Sequence, residues 1–180
     1  DAPRLIAWHA EDADGDPLSA NVLYSRDDGA TWQVVTAGVA DEQVEVLPSW
    51  FAGSDQAAVA IEVTDGVNTT LVRTGAPILV PNKPPVVIVL EGGPGTVGEG
   101  TAARLAAVAT DPEDGPIPAE SIAWSSSVDG ELGTGGDLHA ASLSCGEHVI
   151  TARVWDSADA GGSAAVPLTS CCYEVGRESI

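Results

Sequence analysis

Asp111-Pro112-Glu113-Asp114-Gly115-Pro116 is the stretch on which the fold reading turns. It follows an alternating run, Thr101 to Thr110, that predicts a β-strand, and it precedes a second strand containing Trp124. A weaker copy, Asp12-Ala13-Asp14-Gly15-Asp16-Pro17, lies near the start of the chain. It too falls between strands, Arg4 to His9 and Leu18 to Arg26. Each copy has a later partner, an Asp that closes a strand: Asp65 in Val63-Thr64-Asp65-Gly66, and Asp156 in Val154-Trp155-Asp156-Ser157. The order is that of one β module used twice, over residues 1–81 and 82–180, joined by Pro81-Asn82-Lys83-Pro84-Pro85. Prolines stiffen such a linker.

Composition narrows the function classes. The 180 residues carry 27 acids against 7 bases, a formal charge of −20. Residues 1–81 hold 13 acids and 3 bases, and residues 82–180 hold 14 and 4, so both modules are acidic. Such a surface repels nucleic acid and anionic membrane and favours solubility and divalent cations. Apolar content of 44% argues against disorder. No apolar run reaches the roughly 20 residues of a spanning helix. The chain opens on Asp1-Ala2-Pro3 without a leader pattern, which suits a processed or excised chain.

Further strands are predicted at Thr31–Thr36, Gln43–Leu47, Ala57–Thr64, Asn68–Thr74, Val86–Leu90, Ile122–Ser127, Leu138–Leu143, His148–Trp155 and Ser163–Leu168. Ala20, Val22 and Tyr24 should be buried, as should Ala57, Val59, Ile61 and Val63. In the second module Trp124, Ile150, Ala152 and Val154 should be buried, with Trp155 facing outward. Pro48 to Gln56 reads as loop, and Gly161-Gly162 as a turn. His148 falls at the start of an inward face and reads as structural, and no metal or catalytic spacing links it to His9 or His139.

Ser25-Arg26-Asp27-Asp28-Gly29-Ala30-Thr31-Trp32 resembles an Asp-box, the turn repeated in sialidase propellers. One copy, with three arginines in the whole half, does not make a sialidase site. Asn82-Lys83-Pro84-Pro85-Val86, Val108 to Gly115, Ile122 to Ser126 and Gly146 to Ala152 together resemble bacterial immunoglobulin-like and PKD-type repeats, which are extracellular β-sandwiches. Asp12 to Asp16 and the Ser25–Trp32 turn give the first half a fibronectin type III- or cadherin-like character. The resemblance implies an all-β chain of two tandem immunoglobulin-like sandwiches. The first departs from the pattern by lacking its opening strand, which would leave a sheet edge open to pairing. Truncation of a longer protein and strand donation by a neighbouring subunit both remain open as reasons.

In a seven-strand sandwich the loop after the second strand shares a pole with the loop between the last two. Asp111, Glu113 and Asp114 should therefore approach Asp156, and Asp12, Asp14 and Asp16 should approach Asp65. Two readings stay open. Converging carboxylates suit Ca²⁺, which at the second module's cluster would fix the angle between modules, as the cadherin likeness implies. Alternatively these residues are turn chemistry alone.

Cys145, Cys171 and Cys172 lack zinc spacing and predict a disulfide, hence an oxidising compartment. If Trp155 opposes Ser163, antiparallel register brings Cys145 near Cys171 or Cys172, and the bond would pin the tail Tyr173–Ile180. The expected role is a non-catalytic structural module of a secreted or cell-surface bacterial protein, serving spacing, adhesion or assembly with neighbouring domains or subunits. An accessory carbohydrate-binding module is the second class, a filament subunit the third. Trp32, Trp50 and Trp155 are the aromatics that would stack on a polysaccharide.

Overall fold

The computed structural model describes residues 2–93, 95–98, 101–141 and 143–171, with the side chain of Cys171 excepted. The chain divides into two compact units, Asp1–Asn82 and Lys83–Ile180.

Unit 1 contains β1 (Arg4–Ala7), β2 (Ser19–Ser25), β3 (Gln33–Val39), β4 (Gln43–Val46), β5 (Ser54–Thr64), β6 (Thr69–Arg73) and β7 (Ile78–Val80). One sheet runs β3-β2-β5-β6, with β7 on the start of β5, and the second is the pair β1-β4. Ala20, Val22 and Tyr24 are buried along β2, as the alternation predicts. Tyr24 meets Phe51 edge-on, with ring centroids 5.0 Å apart, and these rings with Val46 and Ala57 make the core. Phe51 reaches it because Pro48–Trp50 forms a 3₁₀ turn, while Trp50 stays exposed. Residues 48–56 are thus not all loop, since β5 already begins at Ser54.

Val59, Ile61 and Val63 share the predicted parity but are only half-buried. Ala58 and Ala60, placed on the other face, are covered instead. The reason is that the facing sheet is only two strands wide, too narrow to cover the length of β5.

Unit 2 contains β8 (Val86–Glu91), β9 (Thr96–Gly98), β10 (Ala103–Asp111), β11 (Gly115–Pro116), β12 (Ala123–Ser126), β13 (Gly130–Thr134), β14 (Asp137–Ala140), β15 (Gly146–Trp155) and β16 (Gly161–Cys171). One sheet places β10 among β8, β11 and β14, and the other runs β13-β12-β15-β16-β9, with β9 parallel to β16. Between them lies a core of thirteen buried residues among those described, against four in unit 1. Trp124 fills its centre at 1% exposure, its indole N–H donating to Gly135 O at 2.8 Å. Ile150, Ala152 and Val154 are fully buried, as predicted.

The last hairpin differs from expectation. Trp155 pairs with Gly161, not Ser163. Asp156 Oδ1 accepts the N–H groups of Ala158 and Ala160, and Asp159 adopts φ +62°. That closes the turn within residues 156–160 and moves Gly161 and Gly162 into the strand. Gly162 is there for space: a Cβ would stand 2.0 Å from the carbonyl oxygen of Pro85, at the entry to β8.

Candidate functional site

Unit 2 brings its two acidic turns together. Asp111 Oδ1 accepts the N–H groups of Glu113 and Asp114, both at 2.8 Å, which folds the loop back on itself. Asp114 then reaches the final hairpin, accepting from Ser157 N at 2.8 Å and Ser157 Oγ at 2.9 Å. The predicted approach of Asp114 to the Asp156 turn is therefore present, carried by direct hydrogen bonds. Glu113 Oε2 accepts the N–H of Lys83 at 3.3 Å. Asp111 is 3% exposed, and its Oδ2 has no hydrogen-bond partner among the described residues. An unpaired buried carboxylate oxygen is costly.

Unit 1 uses the same chemistry more loosely. Asp12 Oδ1 accepts from Asp14 N and Asp16 N, both at 2.9 Å. Asp65 Oδ1 accepts from Val67 N and Asn68 N, and Oδ2 from Asn68 Nδ2. The Asn68 and Val67 bonds hold the Asp65 carboxyl below its ordinary range. Asp12 and Asp65 line one cleft, but each is occupied with its own turn. Among the described residues, no three His, Cys, Asp or Glu side chains are grouped to hold one metal ion.

The Ser25–Trp32 turn is closed mainly by its side chains, with one backbone bond, Ala30 N to Asp27 O at 3.2 Å. Ser25 Oγ accepts from Gly29 N at 2.7 Å. Asp27 accepts from Thr31 N at 2.8 Å and Thr31 Oγ1 at 2.6 Å, which lowers its pKa to about 2. Asp28 and Gly29 take φ of +53° and +87°, the left-handed central pair of a type I′-like turn over residues 27–30, inside the longer loop between β2 and β3.

His148, 2% exposed, is a structural residue. Its Nε2–H donates to Ser144 O and its Nδ1 pairs with Ser126 Oγ, both at 2.8 Å. His9 sits between Glu42 at 3.0 Å and Glu11 at 3.2 Å, and these carboxylates, Glu42 foremost, raise its pKa. Cys145 is disulfide-bonded. Cys172, the tail Tyr173–Ile180 and the side chain of Cys171 lie outside the described residues.

Two surfaces stand out. Trp155 is half-exposed on the outer face of β15, with the Arg153 guanidinium 5.8 Å from its ring centroid. Both border a depression of ≈ 390 Å³ that also takes in Glu131 and Thr151. The other surface is a cleft of ≈ 670 Å³ in unit 1, between β1 with the residues after it and the face of β5 and β6. Sequence reading did not find the cleft. The only sequence signal for its walls was a set of aliphatics whose parity promised burial.

No protein-family model and no curated protein matches the chain. Among solved structures it is similar to the Clostridium thermocellum CbhA fibronectin(III)-like modules, with 16% identity and a TM-score of 0.44, over 99% of this chain and 90% of that one. It is also similar to the N-terminal four Ig domains of Dscam1 isoform 7.44, with 14% identity and a TM-score of 0.39, over 94% of this chain and 41% of that one. No helix is long and apolar enough to cross a membrane among the described residues. Strand order, register and paired cores make the chain two tandem immunoglobulin-like, fibronectin type III-like β-sandwiches.

Proposed function

We propose that the chain is a non-catalytic structural module of a secreted or cell-surface bacterial protein, used for spacing, adhesion or assembly. The observation that supports it most is where the acids go. Asp12, Asp65, Asp111, Asp114 and Asp156 each close a turn or link two turns through backbone N–H groups. Carboxylates committed this way stabilise loops and are poorly placed for proton transfer. Thermal melts in calcium and in chelator test the reading. It expects equal midpoints, because the turns close without a cation.

A calcium reading has one observation of its own, the orphaned Oδ2 of buried Asp111. An ion there would take that oxygen, with turn carbonyls completing an oxygen shell. It would raise the calcium midpoint, by about 2.7 kcal/mol of stability at a hundredfold excess over Kd. A polysaccharide reading rests on Trp155 beside Arg153. Affinity electrophoresis through polysaccharide gels would show retardation that Trp155→Ala abolishes.

Secretion is supported by the disulfide at Cys145. Peptide mapping under non-reducing conditions would recover the Cys145 peptide joined to the one that carries Cys171 and Cys172.

A further inference from the structure

The outer face of the β13-β12-β15-β16 sheet is stepped. Cross-strand pairing sets Glu131, Ser125 and Thr151 in one row and Thr134, Ala123 and Arg153 in the next. Trp155 follows two residues on, past the start of β12. The middle strand offers only Ala123 and Ser125, so larger side chains stand around a low floor, the depression of ≈ 390 Å³. Its indole wall is set by the neighbouring strand. Trp155 pairs with Gly161, where a Cβ would stand 3.3 Å from the indole Nε1 and 3.6 Å from Cδ1. Glycine there leaves the ring room to lie along the sheet.

The polar groups around this floor are uncommitted. Among the described residues, the side chains of Ser125, Glu131, Thr134 and Thr151 hydrogen-bond to nothing in the protein, and Arg153 has only the Trp155 ring. Elsewhere in unit 2 the charges are engaged. Arg104 bridges Glu91 and Asp137, and Asp129 accepts from Ser144 N. Arg153 is thus left without an acid in a chain of 27 acids and 7 bases.

We propose that the depression is a subsite for a neutral polysaccharide, which rests on the polysaccharide reading above and names its ligand. Trp155 stacks on the C–H face of a pyranose ring. Arg153 donates to the sugar hydroxyls and Glu131 accepts from them, with Ser125 and Thr151 beneath. The volume, at the small end of the about 300–1,000 Å³ of ligand sites, holds one or two rings. The surroundings choose this occupant. A peptide strand gains no main-chain bonds here, because β12 and β15 are paired on both edges. An aliphatic ligand finds little to pack on, because apart from Trp155 the outward side chains are alanine and polar groups. An anionic polymer is repelled, because Glu131 offsets Arg153 and the unit as a whole is acidic.

Affinity electrophoresis of the full chain in gels of galactomannan, hydroxyethylcellulose or polygalacturonate, each compared with a polymer-free gel, tests the assignment. A neutral polymer retards the chain and polygalacturonate does not. Trp155→Ala abolishes the retardation, and Glu131→Ala and Arg153→Ala each weaken the apparent affinity about 10-fold. Glu120→Ala, which removes an exposed carboxylate of the same unit outside the depression, changes nothing. Amide spectra of the parent chain, titrated with soluble oligosaccharide of the retarding polymer, shift at Ser125, Thr151 and Arg153. Retardation in no gel, or undiminished by Trp155→Ala, overturns both the proposal and the polysaccharide reading. Retardation that Trp155→Ala abolishes but Glu131→Ala and Arg153→Ala leave intact overturns the proposal alone. So does stronger retardation by polygalacturonate, or amide shifts that spare those three residues.

Discussion

Leu105 and Ile6 occupy the same place in the two units, yet Leu105 is fully buried and Ile6 half-buried. The same holds along the strand. Ala107, Ala109 and Asp111 are buried in unit 2, whereas Trp8, Ala10 and Asp12 are partly open in unit 1. Local sequence does not set this difference, because Ile6 and Leu105 are equal in size, and Ala10 and Asp12 match Ala109 and Asp111 in type. What differs is the neighbour: unit 2 has β8 against β10, and unit 1 has its cleft. Burial in a sandwich is therefore conferred by the strand alongside as much as by the residue itself.

The largest expected effect separates the units directly. Leu105→Ala removes a fully buried side chain from a closed core and should cost about 3–4 kcal/mol. Ile6→Ala, at the equivalent position, should cost only about 1 kcal/mol because half of it is already in water. Urea melts of both variants check the ratio, and equal losses would break the comparison.

Gly162→Ala attacks the neighbour instead of the core. The new methyl would collide with the Pro85 carbonyl, displace β8 and cost roughly 2–3 kcal/mol. It should also raise amide exchange at Val108 and Thr110 toward the rate at His9 and Glu11, making unit 2 resemble unit 1. Asp114→Ala removes the two bonds to Ser157 and should cost about 1 kcal/mol, seen as a lower denaturation midpoint of unit 2 alone.

The smallest effect is the pH dependence that Asp27 gives unit 1. Asp27 has its folded pKa lowered to about 2, by its bonds to Thr31 and Ser25. Its stabilisation is therefore complete above the unfolded value near 4 and is lost as pH falls towards 2. Melts of the parent between pH 5 and pH 2.5 should show this loss, and Asp27→Asn should flatten it.

Much of the fold was legible because period-two alternation marks strands whose two faces differ, as in Ile150, Ala152 and Val154. The turns were legible because Asp, Asn and Gly act on their own backbone neighbours. The exact hairpin register was not, since Gly161-Gly162 reads as a turn until the Pro85 carbonyl is placed against it. Partial burial of Val59, Ile61 and Val63 was equally hidden, because parity names the face and not what covers it. Of the candidate site, the approach of the Asp111 and Asp156 turns was readable from strand order. The Asp114–Ser157 link that joins them was not, because a serine in a turn carries no signal of a distant partner.

Amide hydrogen exchange of the unmodified chain is the most direct measurement of the account. Residues 8–11 and 107–110 occupy matching positions, and among the described residues only the second set has a strand on its outer edge. His9 and Glu11 should exchange near the rate of unstructured backbone while Val108 and Thr110 exchange only as unit 2 opens globally. Comparable protection at all four amides would contradict the difference in covering that separates unit 1 from unit 2.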